Sequence, residues 1–350
     1  MSELRVAVVG VGALGQHHAR ILSEMENVNL VAVVDTNLDI AKSVAEKCNC
    51  AALTDFRYLF DQIDAVPIVV PTSAHLAVAK EFLSRGIPVL VEKPLALNVA
   101  QSQELVSLAA SKQTILQVGH IERFNPATET AWSMTGPAKY IRAERRSPYA
   151  FRSTDIGAVL DLMIHDIDLV LDLANSEVTH VNAFGMCLLG GDEDKVQARL
   201  TFANGCIADL IADRVNPTAC RSMEILSLEG CVTVDFHARK VVGFSSTDRL
   251  KFGPSPLELA ARPDADIPRL KEEIFGGFID VQTPAVPQSD ALTAELSHFT
   301  DCVRTGERPL VGGPEALQAM EVAERILKCV NAHRWDGDDF GPIGPHLKSA

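Results

Sequence analysis

The chain has 350 residues, a formal net charge of −14 at pH 7, 47% hydrophobic residues and a mean hydropathy of +0.11. The surplus of negative charge opposes phosphate backbones and argues against a nucleic-acid partner, and no apolar run is long enough to span a bilayer. The eight cysteines lack zinc-site spacing and the N-terminus lacks a signal-peptide pattern, so we expect reduced thiols and a cytoplasmic protein.

The first predicted elements form a nucleotide-binding turn. Strand Arg5–Val9 runs into Gly10-Val11-Gly12-Ala13-Leu14-Gly15, and a helical pattern of apolar residues follows at once. Gly10 permits the tight turn, Gly12 lets the backbone approach a pyrophosphate, and Gly15 lets helix and strand pack closely. The free N–H groups at the helix N-terminus then favour that pyrophosphate.

A second predicted strand, Leu30–Val34, ends in Asp35. Asp35 stands about 20 residues after the glycine turn, where a carboxylate hydrogen-bonds the hydroxyls of the adenosine ribose. The residues Asp35-Thr36-Asn37 include no arginine to accept a 2′-phosphate. The cofactor predicted from these residues is therefore NAD rather than NADP.

Helices and strands continue to alternate, which predicts a parallel, doubly wound α/β sheet. The elements are helix Leu38–Lys47, strand Ala65–Val70, helix Ala74–Ser84, strand Ile87–Val91, helix Ala100–Ala110 and strand Ile115–Val118. Thr72 and His75 lie between one of these strands and the next helix and are candidates for lining the cofactor groove. Helix capping by Thr72 or Ser73 is an equal alternative.

The tripeptide Glu92-Lys93-Pro94 ends the buried strand Ile87–Val91. It stands at the carboxyl edge of the sheet, where open α/β sheets bind their ligands. Pro94 has no backbone N–H, ends the strand and restricts Lys93 to extended geometry. We expect Lys93 to reach a ligand in the cleft; the alternative is a solvated lysine at a strand end.

Beyond Gly119 the pattern changes to one helix followed by a series of strands, which predicts an α+β second domain with a mostly antiparallel sheet. The strands are Val181–Leu189, Lys195–Phe202, Ile207–Val215, Met223–Leu228, Val232–His237 and Val241–Phe244, and Asn204-Gly205 marks a hairpin. Phe252–Asp290 is predicted to be an extended excursion, and helices Thr293–Val303 and Pro314–Val330 close the chain. The predicted domains are 1–121 and 122–350.

The predicted helix from Gly157 to Leu173 places Asp161, His165, Asp168 and Asp172 on one stripe at 3.6 residues per turn. An aspartate one turn before a histidine can orient its imidazole and raise its basicity, which suits proton transfer. Three alternatives remain open: a hydrogen-bonded core histidine, an Asp172 that simply faces water, and a divalent metal held by the D-x3-H-x2-D spacing.

The glycine turn, Glu92-Lys93-Pro94 and Asp161-x3-His165-x2-Asp168, in this order, resemble the Gfo/Idh/MocA oxidoreductases over nearly the whole chain. The resemblance implies an N-terminal Rossmann domain and a C-terminal domain whose open sheet commonly mediates oligomers, hence a homodimer or homotetramer. It implies that Lys93 bridges the substrate hydroxyl and the nicotinamide ribose, with Glu92 beside it at the cofactor. It also implies that His165 is the general acid/base, that Asp161 binds substrate or supports His165, and that no metal is required.

The segment from Gly119 to Pro126, taken with Asp161–Asp168, looks like the branch of that family containing UDP-N-acetylglucosamine 3-dehydrogenases. This likeness implies hydride transfer from C3 of a UDP-linked N-acetylhexosamine to NAD, with His120 and Arg123 near the substrate. The alternatives are an inositol or free-sugar dehydrogenase of the same family and a non-catalytic regulator that senses NAD or sugar. Intact Lys93, Asp161 and His165 count against the regulator.

Arginines crowd the segment that leads into the Asp161–Asp168 helix, in a chain that is otherwise acidic: Arg142, Arg145, Arg146 and Arg152, with Arg123 shortly before them. Guanidinium geometry suits bidentate binding of a pyrophosphate. Arg145 and Arg146 are therefore predicted to bind the substrate. The alternative is a solvated strand in which Glu144 pairs with a neighbouring arginine.

Overall fold

A computed structural model describes residues 3–151, 154–336 and 341–346. The first part of the chain forms a six-stranded sheet in the order β3-β2-β1-β4-β5-β6, in which every pair of neighbouring strands is parallel. Its elements are β1 (Leu4–Val9), α1 (Gly15–Glu24), β2 (Val28–Val34), α2 (Leu38–Cys48), β3 (Ala51–Leu53), β4 (Val66–Ile68), α3 (His75–Leu83), β5 (Val89–Glu92), α4 (Val99–Lys112) and β6 (Leu116–Gly119). The predicted doubly wound parallel sheet is confirmed.

The strand order reverses between β1 and β4, so the loops that follow these two strands diverge and leave a cleft at the carboxyl edge of the sheet. The central strands are apolar because helices cover both faces of the sheet: Val89, Leu90 and Val91 are completely buried. Strand β3 was not predicted, because its three residues lie at the sheet edge and carry too short a pattern.

The second part of the chain forms an eight-stranded sheet in the order β14-β13-β12-β11-β7-β10-β9-β8. Strands β7 and β10 are parallel and the other pairs are antiparallel, which confirms the predicted α+β architecture. Its elements are α5 (Pro126–Ser133), β7 (Tyr140–Arg146), α6 (Ile164–Ala174), β8 (Val178–Met186), β9 (Lys195–Phe202), β10 (Ile207–Asp213), β11 (Cys220–Leu226), β12 (Gly230–Asp235), β13 (Lys240–Ser246), α7 (Asp248–Phe252), α8 (Pro256–Ala260), α9 (Ile267–Glu272), β14 (Ile279–Gln282), α10 (Ala291–Thr305) and α11 (Gly313–Ala332).

Side chains alternate across this sheet, so that one face is buried under α6 and α11 and the other is partly exposed. Ile141, Ala143 and Arg145 of β7 point to the buried face, whereas Arg142 lies on the exposed face. The Asn204-Gly205 hairpin joins β9 to β10 as predicted, and Gly205 adopts a φ of 83° that favours glycine.

The prediction of an extended excursion over Phe252–Asp290 is wrong in part. Three short helices, α7 to α9, lie there or at its start, and β14 adds an edge strand beside β13. Each helix begins at a capping side chain, namely Thr247, Ser255 and Asp266. Two of the six prolines in this range, Pro256 and Pro268, occupy the first turns of α8 and α9, where a missing N–H costs nothing.

The two C-terminal helices contact both parts of the chain. Leu292, Leu296 and Phe299 of α10 belong to the same buried cluster as Leu22 of α1, and α11 packs on α4 as well as on β8. The domain boundary at residues 121 and 122 therefore stays a prediction. Among the described residues, no helix combines the length and apolarity that crossing a bilayer requires.

Candidate active site

A cavity of about 720 Å³ opens at the carboxyl edge of the parallel sheet. Its walls hold the predicted cofactor residues Gly10, Gly12, Ala13, Leu14, Asp35, Thr72, His75, Glu92 and Lys93. Thr154 and Asp155 enter from the second part of the chain, and the Asp155 carboxylate accepts a hydrogen bond from the Ser73 N–H at 3.3 Å.

The glycine turn has the backbone that a dinucleotide pyrophosphate needs. Gly10 has a φ of 87°, and a Cβ there would lie 2.5 Å from the Val69 carbonyl oxygen. A Cβ at Gly15 would lie 1.9 Å from the carbonyl oxygen of Gly10, so the turn closes only on a bare backbone. Gly12 faces open space, with no atom within 4 Å of a Cβ. The turn thus fits NAD by the roles predicted for each glycine.

Asp35 stands at the end of β2 in the wall of this cavity. One carboxylate oxygen accepts the Val11 N–H at 3.1 Å and the other accepts the Asn37 N–H at 2.9 Å. The carboxylate therefore supports the glycine turn and still faces the space where the adenosine ribose would bind. The adenosine end of this cavity suits an uncharged ribose hydroxyl better than a phosphate.

Thr72 and His75 hold the loops beside the cavity. Both ring nitrogens of His75 lie against carbonyl oxygens, Nδ1 at 2.9 Å from Pro94 and Nε2 at 3.0 Å from Val70. Burial lowers the pKa of His75, so the ring is neutral and its single N–H donates to one of these two carbonyl oxygens, in the loop after β4 or the loop after β5. Thr72 begins a 3-10 turn, and neither Thr72 nor Ser73 caps the following helix with its side chain.

A second cavity, of about 370 Å³, adjoins the first and shares four of its lining residues, Ala13, Leu14, Glu92 and Lys93. Asp161 and His165 from the second part of the chain line its other side. Lys93 therefore stands where the two cavities meet. The structure brings the predicted catalytic residue Lys93 to the same cavity as the other two, Asp161 and His165, which lie much later in the sequence.

Asp161 contacts Lys93 rather than His165, which corrects the predicted orientation of the imidazole. The Lys93 ammonium donates to the Asp161 carbonyl oxygen at 2.8 Å and to its carboxylate at 3.2 Å. The reason is a π-helical turn, Val159–Met163, in which the Ile164 N–H reaches the Val159 carbonyl. This wider turn removes Asp161 from the stripe that a regular helix would have placed one turn before His165.

His165 is half-buried at the wall of the second cavity, and its Nδ1 is buried without a hydrogen-bond partner among the described residues. Burial, followed by the charges of Lys93 and Arg145, lowers its pKa well below 6.5. The imidazole is consequently neutral near pH 7. A neutral imidazole beside a cavity can accept a proton.

Arg145 and Arg146 line the second cavity but are engaged in ion pairs, so their role as pyrophosphate ligands stays a prediction. Arg145 is buried and donates at 2.8 Å to both Glu122 and Asp166. Arg146 pairs with Glu144, which also pairs with Arg142. The alternative of a strand with arginines paired to Glu144 is therefore what β7 shows. Arg152 lies outside the described residues.

His120 and Arg123 lie behind α6 and line neither cavity, so their predicted contact with substrate is not seen. Arg123 pairs with Asp168 at 3.0 Å and also with Asp172, which in turn accepts the Trp132 indole N–H. Burial raises the pKa of Asp168 to about 7 despite Arg123, and burial and nearby cations lower that of His120 to about 3.

The acidic side chains of α6 and of the π-helical turn before it therefore contact different partners. Asp161 contacts Lys93, Asp166 contacts Arg145, and Asp168 contacts Arg123. Within the part of the chain that the structure describes, no three side chains of the kinds that bind metals come together.

Sequence reasoning missed three residues of the second cavity, Tyr149, Arg214 and Arg221. Arg214 pairs with Asp194 at 2.8 Å and is buried. Arg221 lies opposite Arg145 in the β7–β11 register and is exposed. The one signal for Arg221 was its position just before the predicted strand Met223–Leu228, at a strand end that could face the site.

Two family descriptions match this chain. The first, "Oxidoreductase family, NAD-binding Rossmann fold", matches residues 4–120, and the second, "GFO/IDH/MocA C-terminal domain", matches residues 127–233. The chain is 37% identical to a UDP-N-acetylglucosamine 3-dehydrogenase of Acidithiobacillus ferrooxidans, over 95% of this chain and 99% of that protein. It is 28% identical to a scyllo-inositol 2-dehydrogenase (NAD(+)) of Bacillus subtilis, over 91% and 92% of the two chains.

Solved structures agree with these matches. The UDP-N-acetylglucosamine 3-dehydrogenase of Acidithiobacillus ferrooxidans superposes with a TM-score of 0.81 and 29% identity, over 94% of this chain and 98% of that chain. A myo-inositol 2-dehydrogenase of Lactobacillus plantarum superposes with a TM-score of 0.73 over 94% and 98%. Its 22% identity shows a shared fold alone.

Replacing either of two glycines of the turn by alanine should have a different effect: at Gly15 it should lower thermal stability, and at Gly12 it should weaken NAD binding. Gly15→Ala places a methyl group against the Gly10 carbonyl, and we expect it to lower the Tm of the cofactor-free protein by about 5 °C or more. Gly12→Ala adds its methyl group to open space, so the Tm should stay within about 1 °C while the Kd for NAD rises about tenfold or more. Calorimetry with and without NAD measures both; equal NAD affinity in Gly12→Ala would contradict the assignment.

Proposed function

This chain belongs to the Gfo/Idh/MocA family of NAD-binding oxidoreductases, and we propose that it oxidises C3 of UDP-N-acetylglucosamine to the 3-keto sugar. Two observations support the substrate: the relative of Acidithiobacillus ferrooxidans acts on this sugar nucleotide, and the second cavity carries an unpaired cation. The proposal rests mainly on the cation in the second cavity, because this is a property of the chain's own side chains.

The cations around the second cavity differ in whether a carboxylate neutralises them. Lys93, Arg145, Arg146 and Arg214 each pair with an aspartate or glutamate. Arg221 forms no side-chain ion pair within the described residues, although its charge acts to lower the pKa of Glu122 and Asp166, the two partners of Arg145, and that of His165. A guanidinium that lines the cavity without an ion pair of its own is a binding group that an anionic substrate can use and a neutral polyol does not need.

Arg221 is also well placed to act on a substrate that reaches Lys93. It stands on the buried face of the eight-stranded sheet, in the same cavity as His165 and Asp161. A sugar ring between Lys93 and His165 would leave its diphosphate group towards the wall that bears Arg221. A guanidinium with free N–H groups binds phosphate oxygens in bidentate fashion.

In the proposed reaction, His165 is the general base. Its neutral imidazole accepts the proton of the C3 hydroxyl, because its low pKa leaves it unprotonated near pH 7. NAD, when bound in the first cavity, supplies the hydride acceptor. Lys93 lies between the two cavities and stabilises the negative charge that develops on the hydroxyl oxygen. Asp161 holds the Lys93 ammonium from the opposite side and fixes its direction.

A neutral polyol is the second candidate substrate. Relatives named as inositol dehydrogenases match over nine-tenths of the chain, and Lys93, Asp161 and His165 require only a secondary alcohol. This candidate leaves the free guanidinium of Arg221 without a use. The regulator alternative has less support, since these three residues converge on one cavity beside the cofactor groove.

Replacement of either reacting side chain tests the mechanism. Lys93→Met and His165→Ala should each lower kcat about 100-fold or more, because both act in the transition state, while the Kd for NAD stays within about threefold. His17→Ala removes an exposed histidine of α1 and serves as the control for general damage. Full activity of His165→Ala across the pH range would remove His165 from the chemistry.

A panel of UDP-N-acetylglucosamine, N-acetylglucosamine, myo-inositol and glucose, followed by NADH absorbance, tests the substrate. We expect UDP-N-acetylglucosamine to give the highest kcat/KM. Arg221→Gln should raise its KM about tenfold or more, the cost of losing a charge-assisted hydrogen bond, and leave the Kd for NAD unchanged.

The matched control is Arg142→Gln, which removes a guanidinium of the same sheet on the opposite, exposed face. Its KM should equal that of the unmodified protein. A higher kcat/KM for myo-inositol or glucose than for the UDP-sugar would establish the polyol reaction instead.

We also propose that copies of the chain associate through the exposed face of the eight-stranded sheet. This face carries the partly exposed Phe184 among polar side chains such as Tyr140, His180 and Arg199. Light scattering after gel filtration should give two or four times the 37.8 kDa of one chain. Phe184→Glu should shift the mass towards one chain, whereas a single-chain mass for the unmodified protein would contradict the association.

A further inference from the structure

A buried group of polar side chains lies next to Lys93. His18 of α1 and Glu295 of α10 are completely buried, and Glu92 at the end of β5 is nearly so. His18 Nε2 lies 3.0 Å from Glu92 Oε1, within ion-pair distance, while neither ring nitrogen of His18 meets hydrogen-bond geometry with a described residue. The other carboxylate oxygen of Glu92 accepts the Lys93 backbone N–H at 3.2 Å. Neither cavity is lined by His18 or Glu295, and the proposed reaction uses neither.

The space around Glu92 is shaped for its carboxylate. Gly119 is the partner of Glu92 in the β5–β6 register, and a Cβ at Gly119 would lie 2.9 Å from Glu92 Oε2. The carboxylate thus occupies the volume that a side chain at Gly119 would fill. His18 closes this space from the helix that follows the glycine turn.

We propose that His18 is a positioning residue for the reaction: it holds the Glu92 carboxylate ionised and in place next to Lys93. Glu92 then anchors the Lys93 backbone through the N–H bond and supplies a negative charge beside its ammonium. Lys93 thus contacts two carboxylates, Glu92 through its backbone N–H and Asp161 through its ammonium. His18 acts through Glu92 and touches no reacting atom.

The other titratable groups that face Glu92 leave His18 as its main support. Besides His18 and Lys93, they are His75 of α3, His120 after β6 and Glu295 of α10. Burial lowers the pKa of His75 and of His120, so neither is a cation near pH 7. Burial raises the pKa of Glu92, but its contact with His18 and the charge and backbone N–H of Lys93 more than offset this and leave it below its ordinary value.

Glu295 is the neutral member of the group. Both of its carboxyl oxygens are buried without a hydrogen-bond partner among the described residues, and burial and the charge of Glu92 raise its pKa well above 4.5. Two ionised carboxylates in this space would repel each other, so the proton resides on Glu295 and the charge on Glu92. An amide at position 295 should therefore reproduce the native state.

The experiment compares His18→Gln with His17→Gln on the same helix. His17 is exposed, so its replacement should leave the pH profile of kcat/KM unchanged. Without the His18 imidazole the pKa of Glu92 rises, and protonation of Glu92 then removes activity at a higher pH than in the unmodified protein. The acid limb of kcat/KM should move up by about one pH unit or more. UDP-N-acetylglucosamine is the substrate, or myo-inositol if the UDP-sugar is not oxidised, so the test is separate from the choice of sugar.

A double variant identifies the group whose protonation causes the shift of the acid limb of kcat/KM. In His18→Gln/Glu92→Gln nothing titrates at position 92, so the upward shift of the acid limb should disappear while activity stays low at all pH values. A shift that persists belongs to another group and overturns the proposal. A uniform loss in His18→Gln, with the acid limb unmoved, would assign His18 a purely structural role and would also overturn it.

Glu295→Gln gives a readout that needs no substrate. A group whose pKa is raised on folding contributes its full stability below the unfolded pKa and loses it as pH rises. The Tm of Glu295→Gln should therefore exceed that of the unmodified protein at pH 8 and approach it at pH 4.5, and the acid limb should not move. A difference in Tm that does not depend on pH, or an acid limb moved to lower pH, would mean that Glu295 is ionised and would overturn the assignment of charges.

Discussion

The contact between the Lys93 ammonium and Asp161 is the interaction on which the site depends. It joins the carboxyl edge of the parallel sheet to the π-helical turn that leads into α6 in the second part of the chain. Each partner comes from a feature that ordinary secondary structure does not provide: a strand that ends in charges and a helix that widens for one turn. Because Lys93 lines both cavities, the same contact fixes the one cation that the proposed reaction places between cofactor and substrate.

Much of the first part of the chain could be predicted because its requirements are local. Gly10 and Gly15 are needed by the backbone itself, and Asp35 follows at a spacing set by one strand-helix-strand unit. The order and type of most elements followed from hydrophobic period alone. Strand β7 was harder to predict, since arginines and a glutamate replace the apolar alternation and become compatible with burial only after they pair with one another.

The substrate side could be predicted less well, because the role of a charge depends on its neighbours. Arg145 and Arg221 have the same side chain and lie opposite each other in the sheet. Among the described residues, however, only Arg145 of the two forms ion pairs with carboxylates. Those carboxylates, Glu122 and Asp166, come from other elements, so no spacing in the sequence identifies them. The prediction that the Asp161 side chain points towards His165 failed for a related reason: a π-helical turn leaves no sequence pattern that a 3.6-residue period can detect.

The division into two cavities explains how one chain can resemble enzymes with different substrates. The first cavity is built almost wholly from residues of the parallel sheet and its loops. It would hold NAD, which accepts a hydride from any secondary alcohol in the same way. In the proposed reaction, Lys93 and His165 act only on the alcohol. Discrimination between substrates would rest with the far wall, where β7 ends and β11 begins and where an arginine either forms an ion pair or forms none. A change at Arg221 would alter the charge of the wall and leave in place the buried ion pairs of Arg145 and Arg123 with α6.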